Sequence, residues 1–208
     1  QAVAAARAGA RVVFIGARGD DDFGAAAEAA LRREGIETRY FVVKPGVSSG
    51  VALIFIGGRH RQNMIGVAPS ANLALRPEDV QRAAPEFRRA GAVVAALEIP
   101  FACVEAAAEL AAEAGIPFVL TPAPVPRKPL PARLLRRVAV LVPNEGEACA
   151  LSAQANYRRA AEALRAKGCR QVLVTLGGRG VWLAGPDGTR RIPAPKVRPV
   201  DTVGAGDC

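Results

Sequence analysis

No apolar stretch in this chain approaches the roughly 18 residues that a membrane-spanning helix needs, and no signal sequence is visible. Cysteine is scarce. The four present, Cys103, Cys149, Cys169 and Cys208, are widely spaced with no CxxC pair. That spacing excludes a zinc ribbon and a dense disulfide framework, and it points to a reducing cytoplasm. Aromatic residues make up only 5% of the chain. The formal net charge is +9, but no basic run is interleaved with aromatics. Groups such as Leu31-Arg32-Arg33 and Tyr157-Arg158-Arg159 read as solvated helix faces, so nucleic acid is not expected as a partner. A positive field does suit a small anion such as a nucleotide. The single histidine, His60, has no evident base or metal beside it and is given no role. Neither Gly-x-Gly-x-x-Gly nor Gly-x-x-x-x-Gly-Lys-Ser/Thr occurs, which disfavours a Rossmann dehydrogenase and a Walker-type NTPase.

What is present is a hydrophobic half, rich in Ala and Val, within 208 residues, enough for one domain with a substantial core. Apolar strands expected at 12–15, 92–97, 118–120, 138–142 and 172–176 alternate with helices expected at 23–33, 103–114 and 157–166. Repeated βα units of this kind predict a doubly wound α/β fold with a mostly parallel sheet. The stretch 38–67 breaks the alternation. Three β-rich segments separated by Lys44-Pro45-Gly46 and Gly57-Gly58-Arg59 predict a small antiparallel excursion, of a size that suits a lid or an interface. Residues 182–192 read as a hairpin around Gly185-Pro186-Asp187-Gly188. Five prolines between Pro122 and Pro131 predict a surface loop.

Three glycine-rich or polar turns follow strands, where α/β proteins build sites. In Asp201-Thr202-Val203-Gly204-Ala205-Gly206-Asp207, small residues would let successive N–H groups converge on phosphate oxygens, and Asp207 could accept a proton from an attacking hydroxyl. The same residues serve equally as a tight turn with Asp207 as a helix cap. In Pro143-Asn144-Glu145-Gly146-Glu147, Asn144 and Glu147 form a potential capping box, which needs no ligand. In Thr175-Leu176-Gly177-Gly178-Arg179-Gly180, ordinary turn chemistry is a sufficient reading, although glycines also let backbone approach a ligand. Glu98 leaves a carboxylate at the end of an apolar strand.

Together these segments resemble the ribokinase family of sugar kinases. The heptad 201–207 is similar to that family's Asp-Thr-x-Gly-Ala-Gly-Asp signature, and 144–147 resembles its Asn-x-x-Glu motif. Leu97-Glu98-Ile99-Pro100, Thr121-Pro122-Ala123-Pro124 and Gly19-Asp20-Asp21 resemble ribokinase phrasing. The resemblance implies a Rossmann-like three-layer α/β/α kinase domain over 1–208, with about 37–67 contributing to a β lid. It implies Asp207 as catalytic base and an anion hole from Gly204, Ala205 and Gly206. Nucleotide contacts would come from Asn144, Thr175, Gly177, Gly180 and Gly206, and sugar contacts from Glu98 and Asp207. Asn144 and Glu147 would organise Mg²⁺ through water, and Asp201 with the Val203 carbonyl would hold a monovalent cation, K⁺. ATP would be the co-substrate, ribose the leading acceptor, and the lid the contact of a homodimer. Fructose, a nucleoside or another sugar remain alternative acceptors, and a non-catalytic sugar or nucleotide sensor is the alternative class. The resemblance further implies that a strand and a Gly-Gly sugar-binding turn precede Gln1 and that nucleotide-closing elements follow Cys208.

Overall fold

The computed structural model describes residues 1–57 and 62–197, together with Gly204 and Gly206. The chain forms two compact units, one over Gln1–Ala83 and one over Ala84–Val197. In the first, α1 (Ala2–Arg7) leads to β1 (Val13–Gly19), α2 (Asp22–Arg33) and β2 (Glu37–Lys44). Strands β1 and β2 pair in parallel across the helix that joins them, as a βα unit requires. Glu28 of α2 ties the three together. It accepts from Arg18 at 2.6 Å, Arg32 at 2.6 Å and the Thr38 hydroxyl at 3.2 Å. Burial pushes the Glu28 carboxyl upward, but these partners outweigh it and leave it below the usual range.

Next come β3 (Val51–Gly57) and β4 (Gln62–Ala68), which form a separate two-stranded antiparallel ribbon. No helix interrupts 37–57, as the sequence predicted. At the ribbon's root, Asp21 caps α2 by accepting from Gly24 N at 2.9 Å, and also takes the Ser49 amide at 2.7 Å and the Ser49 hydroxyl at 2.6 Å. The Ser49 hydroxyl accepts in turn from Gly19 N at 3.0 Å. These bonds, the Ser49 hydroxyl first among them, hold the Asp21 carboxyl below its ordinary pKa. A 3₁₀ turn at Ser70–Ala74 and α3 (Pro77–Gln81) end the unit, with Lys44 bonded to Asp79 at 2.6 Å. This helical passage was not predicted, because its turns are too short to show a 3.6-residue period.

The second unit runs α4 (Ala84–Phe87), β5 (Val93–Ala96), α5 (Phe101–Glu113), β6 (Phe118–Thr121), α6 (Ala132–Leu135), β7 (Val138–Leu141), α7 (Glu145–Ser152), α8 (Tyr157–Ala166), β8 (Gln171–Thr175), β9 (Val181–Gly185) and β10 (Gly188–Ile192). Its sheet has the order β10-β9-β8-β7-β6-β5. Strands β5 to β8 are parallel, and the β9–β10 hairpin adds an antiparallel edge. The fold is therefore the expected mixed α/β with a mostly parallel sheet. Phe118, Leu120, Leu141, Val172 and Val174 are fully buried in it. The face of α5 buried with them carries Cys103, Val104, Ala107, Ala108 and Ala111, small residues that allow close packing.

Among the described residues no helix is long and apolar enough to cross a membrane. Burial pushes the Cys169 thiol up to about 12, so it behaves as a small apolar residue.

Candidate functional site

Because β5 to β8 are parallel, their carboxyl ends share one edge of the second unit's sheet. Along it, in strand order, stand Glu98 just past β5, Thr121 at the end of β6, Asn144 just past β7 and Thr175 at the end of β8. Crevices beyond such edges are where open α/β sheets bind ligands.

The best-defined part joins the ends of β7 and β8. Asn144 and Thr175 form a parallel bridge, and Thr175 N donates to Pro143 O at 2.9 Å. The capping box read in the sequence is present. Asn144 Oδ1 accepts from Glu147 N at 2.8 Å, and Glu147 Oε2 accepts from Asn144 N at 2.8 Å. Asn144 is exposed and Glu147 half-buried, so the cap does not bury either group. The first turn of α7 thus offers backbone N–H groups, a helix's positive end and a carboxylate on the surface beside Thr175. That donor set fits both phosphate oxygens and a hydrated divalent cation.

After Thr175 the chain makes a 3₁₀ turn at Gly177–Arg179, closed by Leu176 N donating to Gly180 O at 2.8 Å and Gly180 N donating to Gly177 O at 2.9 Å. Gly180 has φ +90°, and a Cβ there would lie 2.1 Å from Ile192 O. Its lack of a side chain is therefore required by the close crossing over β10. Gly177 also has positive φ, +56°, but a Cβ would meet nothing within 4 Å. Its surface is open.

The structure gathers Asn144, Glu147, Thr175, Gly177 and Gly180 in one place. Glu98 stands apart from them, two strands from Asn144 and three from Thr175 on the same edge, exposed and with no hydrogen-bond or ion-pair partner among the described residues. Asp201, Val203, Ala205 and Asp207 lie outside the described residues, as does His60. Gly204 adopts φ +73°, the left-handed conformation that glycine supplies most readily in a turn.

Sequence reading missed an ion pair between Glu145 and Arg179, whose side chains remain 45% and 54% exposed. A separation of 34 residues leaves no local pattern to find it by. Pairs this exposed are worth roughly 0–1 kcal/mol, so its interest is positional.

Three similarities bear on this arrangement. The deoxyribokinase of Salmonella typhi is 36% identical over 212 residues, covering 100% of this chain and 69% of that protein. The bifunctional ribokinase/ribose-5-phosphate isomerase A of Fructilactobacillus sanfranciscensis is 34% identical across 100% of this chain, which spans only 39% of that longer protein. The structure of Arabidopsis thaliana ribokinase complexed with ribose and ATP superposes with a TM-score of 0.86 at 27% identity, covering 99% of this chain and 69% of that one. Fold and similarities together define a phosphotransferase class directed at sugar hydroxyls. The pfkB family carbohydrate kinase pattern matches residues 1–208, and the chain belongs to that family.

Proposed function

We propose that the protein is an ATP-dependent ribokinase that phosphorylates D-ribose to D-ribose 5-phosphate. The observation that carries the reading is the joined pair of turns at Asn144–Glu147 and Thr175–Gly180. It brings a helix N-terminus, a glycine turn and a carboxylate to the carboxyl edge of the parallel strands, a set that suits ATP phosphates. Relatives named ribokinase and deoxyribokinase support a pentose acceptor.

In this reading Asn144, Thr175, Gly177, Gly180 and Gly206 hold ATP, and Glu98 accepts hydrogen bonds from sugar hydroxyls. Asp207 removes the proton from the attacking hydroxyl, and the amides of Gly204, Ala205 and Gly206 stabilise the charge that develops on the transferred group. Mg²⁺, when bound, neutralises phosphate charge, with Asn144 and Glu147 orienting its water ligands. Asp201 and the Val203 carbonyl hold K⁺ as an activating ion. The chain acts as one kinase domain with residues 37–67 contributing a lid, and the enzyme works in the cytoplasm.

The lid also serves as a homodimer contact. The β3–β4 register puts Leu53, Phe55 and Met64 on one face and Ile54, Ile65 and Val67 on the other, and all six are exposed.

The test is ADP release by the full-length enzyme with Mg²⁺ and K⁺, comparing ribose, 2-deoxyribose, fructose, adenosine and no acceptor. Release with ribose above all others is expected. Preference for 2-deoxyribose is the second reading, favoured by the deoxyribokinase relative. A folded protein that binds ATP but shows no acceptor-dependent ADP release would replace the kinase with a sensor. Asp207→Asn should lower turnover by roughly 100- to 10,000-fold with little change in ATP affinity. Near-normal turnover would remove Asp207 as the base.

A further inference from the structure

The Gly177–Gly180 turn is tied down from two sides by contacts that the proposed chemistry does not itself require. On one side the Arg179 guanidinium donates to the Glu145 carboxylate in the first turn of α7, immediately beside Asn144. It also sits over the Tyr157 ring, 5.9 Å from its centroid. On the other side the Arg179 carbonyl accepts from Arg191 Nε at 3.1 Å and Nη2 at 3.0 Å, which ties the same residue to β10. Arg179 is thus the one turn residue joined through its side chain to α7 and through its backbone to the hairpin. Backbone bonds within the turn set its shape and Thr175 N to Pro143 O fixes its base, while the Arg179 side chain adds the link from its tip to α7.

We propose that Glu145 and Arg179 are positioning residues for the nucleotide. Their ion pair holds the Gly177–Gly180 tip in register with the Asn144–Glu147 turn, so that the two halves of the phosphate-facing surface meet ATP already aligned. This rests on the nucleotide site proposed above. Prealigned backbone loses less freedom on binding, so the effect falls on ATP affinity rather than on the chemical step. The pair's exposure means that either side chain can be removed without leaving a buried charge.

The experiment uses the full-length enzyme with Glu145→Ala, Arg179→Ala and the charge-swapped double variant Glu145→Arg/Arg179→Glu. Each single variant should raise KM for ATP about 2- to 5-fold, with kcat and the sugar KM within about 1.5-fold of wild type. The double variant should recover most of the loss. Without nucleotide, the Leu176, Arg179 and Gly180 amides should exchange faster with solvent in both single variants and return toward wild type in the double. Unchanged exchange in both single variants would overturn the clamp. A raised KM for Arg179→Ala alone would also overturn it, since Arg179 would then act on the nucleotide directly. No ATP turnover by the wild-type enzyme would sink the kinase reading instead, and the exchange measurement would still confirm or reject the clamp.

Discussion

Two strands of nearly the same composition meet opposite fates in this molecule. Val138-Ala139-Val140-Leu141 is β7, at the middle of the six-stranded sheet, with Val138 1% and Leu141 0% exposed. Val51-Ala52-Leu53-Ile54 opens β3, where Leu53 is 59% and Ile54 45% exposed. β7 has a parallel neighbour on each side, whereas among the described residues β3 pairs only with β4. A two-stranded ribbon has no interior, so its side chains stay in water until something else covers them. Apolar strand sequence therefore sets a demand for burial, and topology decides whether the chain itself meets it.

Substitutions along these strands can break the contrast. The largest effect is expected for Leu141→Ala, which removes buried methyl groups between Leu120 and Val172 and should cost about 2–5 kcal/mol in denaturant unfolding. A loss below about 1 kcal/mol would mean that the sheet centre relaxes as readily as the ribbon.

Asp21→Asn tests the ribbon's root and should lower the melting temperature by about 2–4 °C at neutral pH. The Asp21 carboxyl titrates below its unfolded value, so its contribution is present above the unfolded pKa and disappears as pH falls through the folded one. Wild-type and variant melting temperatures should therefore converge in acid. A difference that persists at low pH would show that the carboxylate's charge is not what Ser49 and Gly24 recognise.

The smallest effect on stability is expected for Leu53→Ser with Phe55→Ser, within about 0.5 kcal/mol for the monomer, because both side chains are already solvated there. Light scattering should nonetheless shift from dimer to monomer. A wild-type enzyme that is monomeric would reject the lid contact.

The site was legible to different depths for physical reasons. Asn144 and Glu147 could be placed because a capping box is local, three residues apart on one helix turn. The hairpin at 181–192 and the helix at Tyr157–Ala166 were readable because glycine turns and a 3.6-residue period leave marks on neighbouring residues. The bridge from Asn144 to Thr175, the pair of Glu145 with Arg179 and the junction of Asp21 with Ser49 were not, since each joins residues at least 28 positions apart.

By itself the sequence determined which segments would be strands, where the polar turns would interrupt them and which residue types could meet phosphate. All of these follow from local backbone preference and alternation of polarity. Tertiary structure alone decided the strand order β10-β9-β8-β7-β6-β5, which sets Glu98, Asn144 and Thr175 in their sequence along one edge. It alone decided that β7 is buried while β3 is not, because strand neighbours are chosen by packing between distant segments.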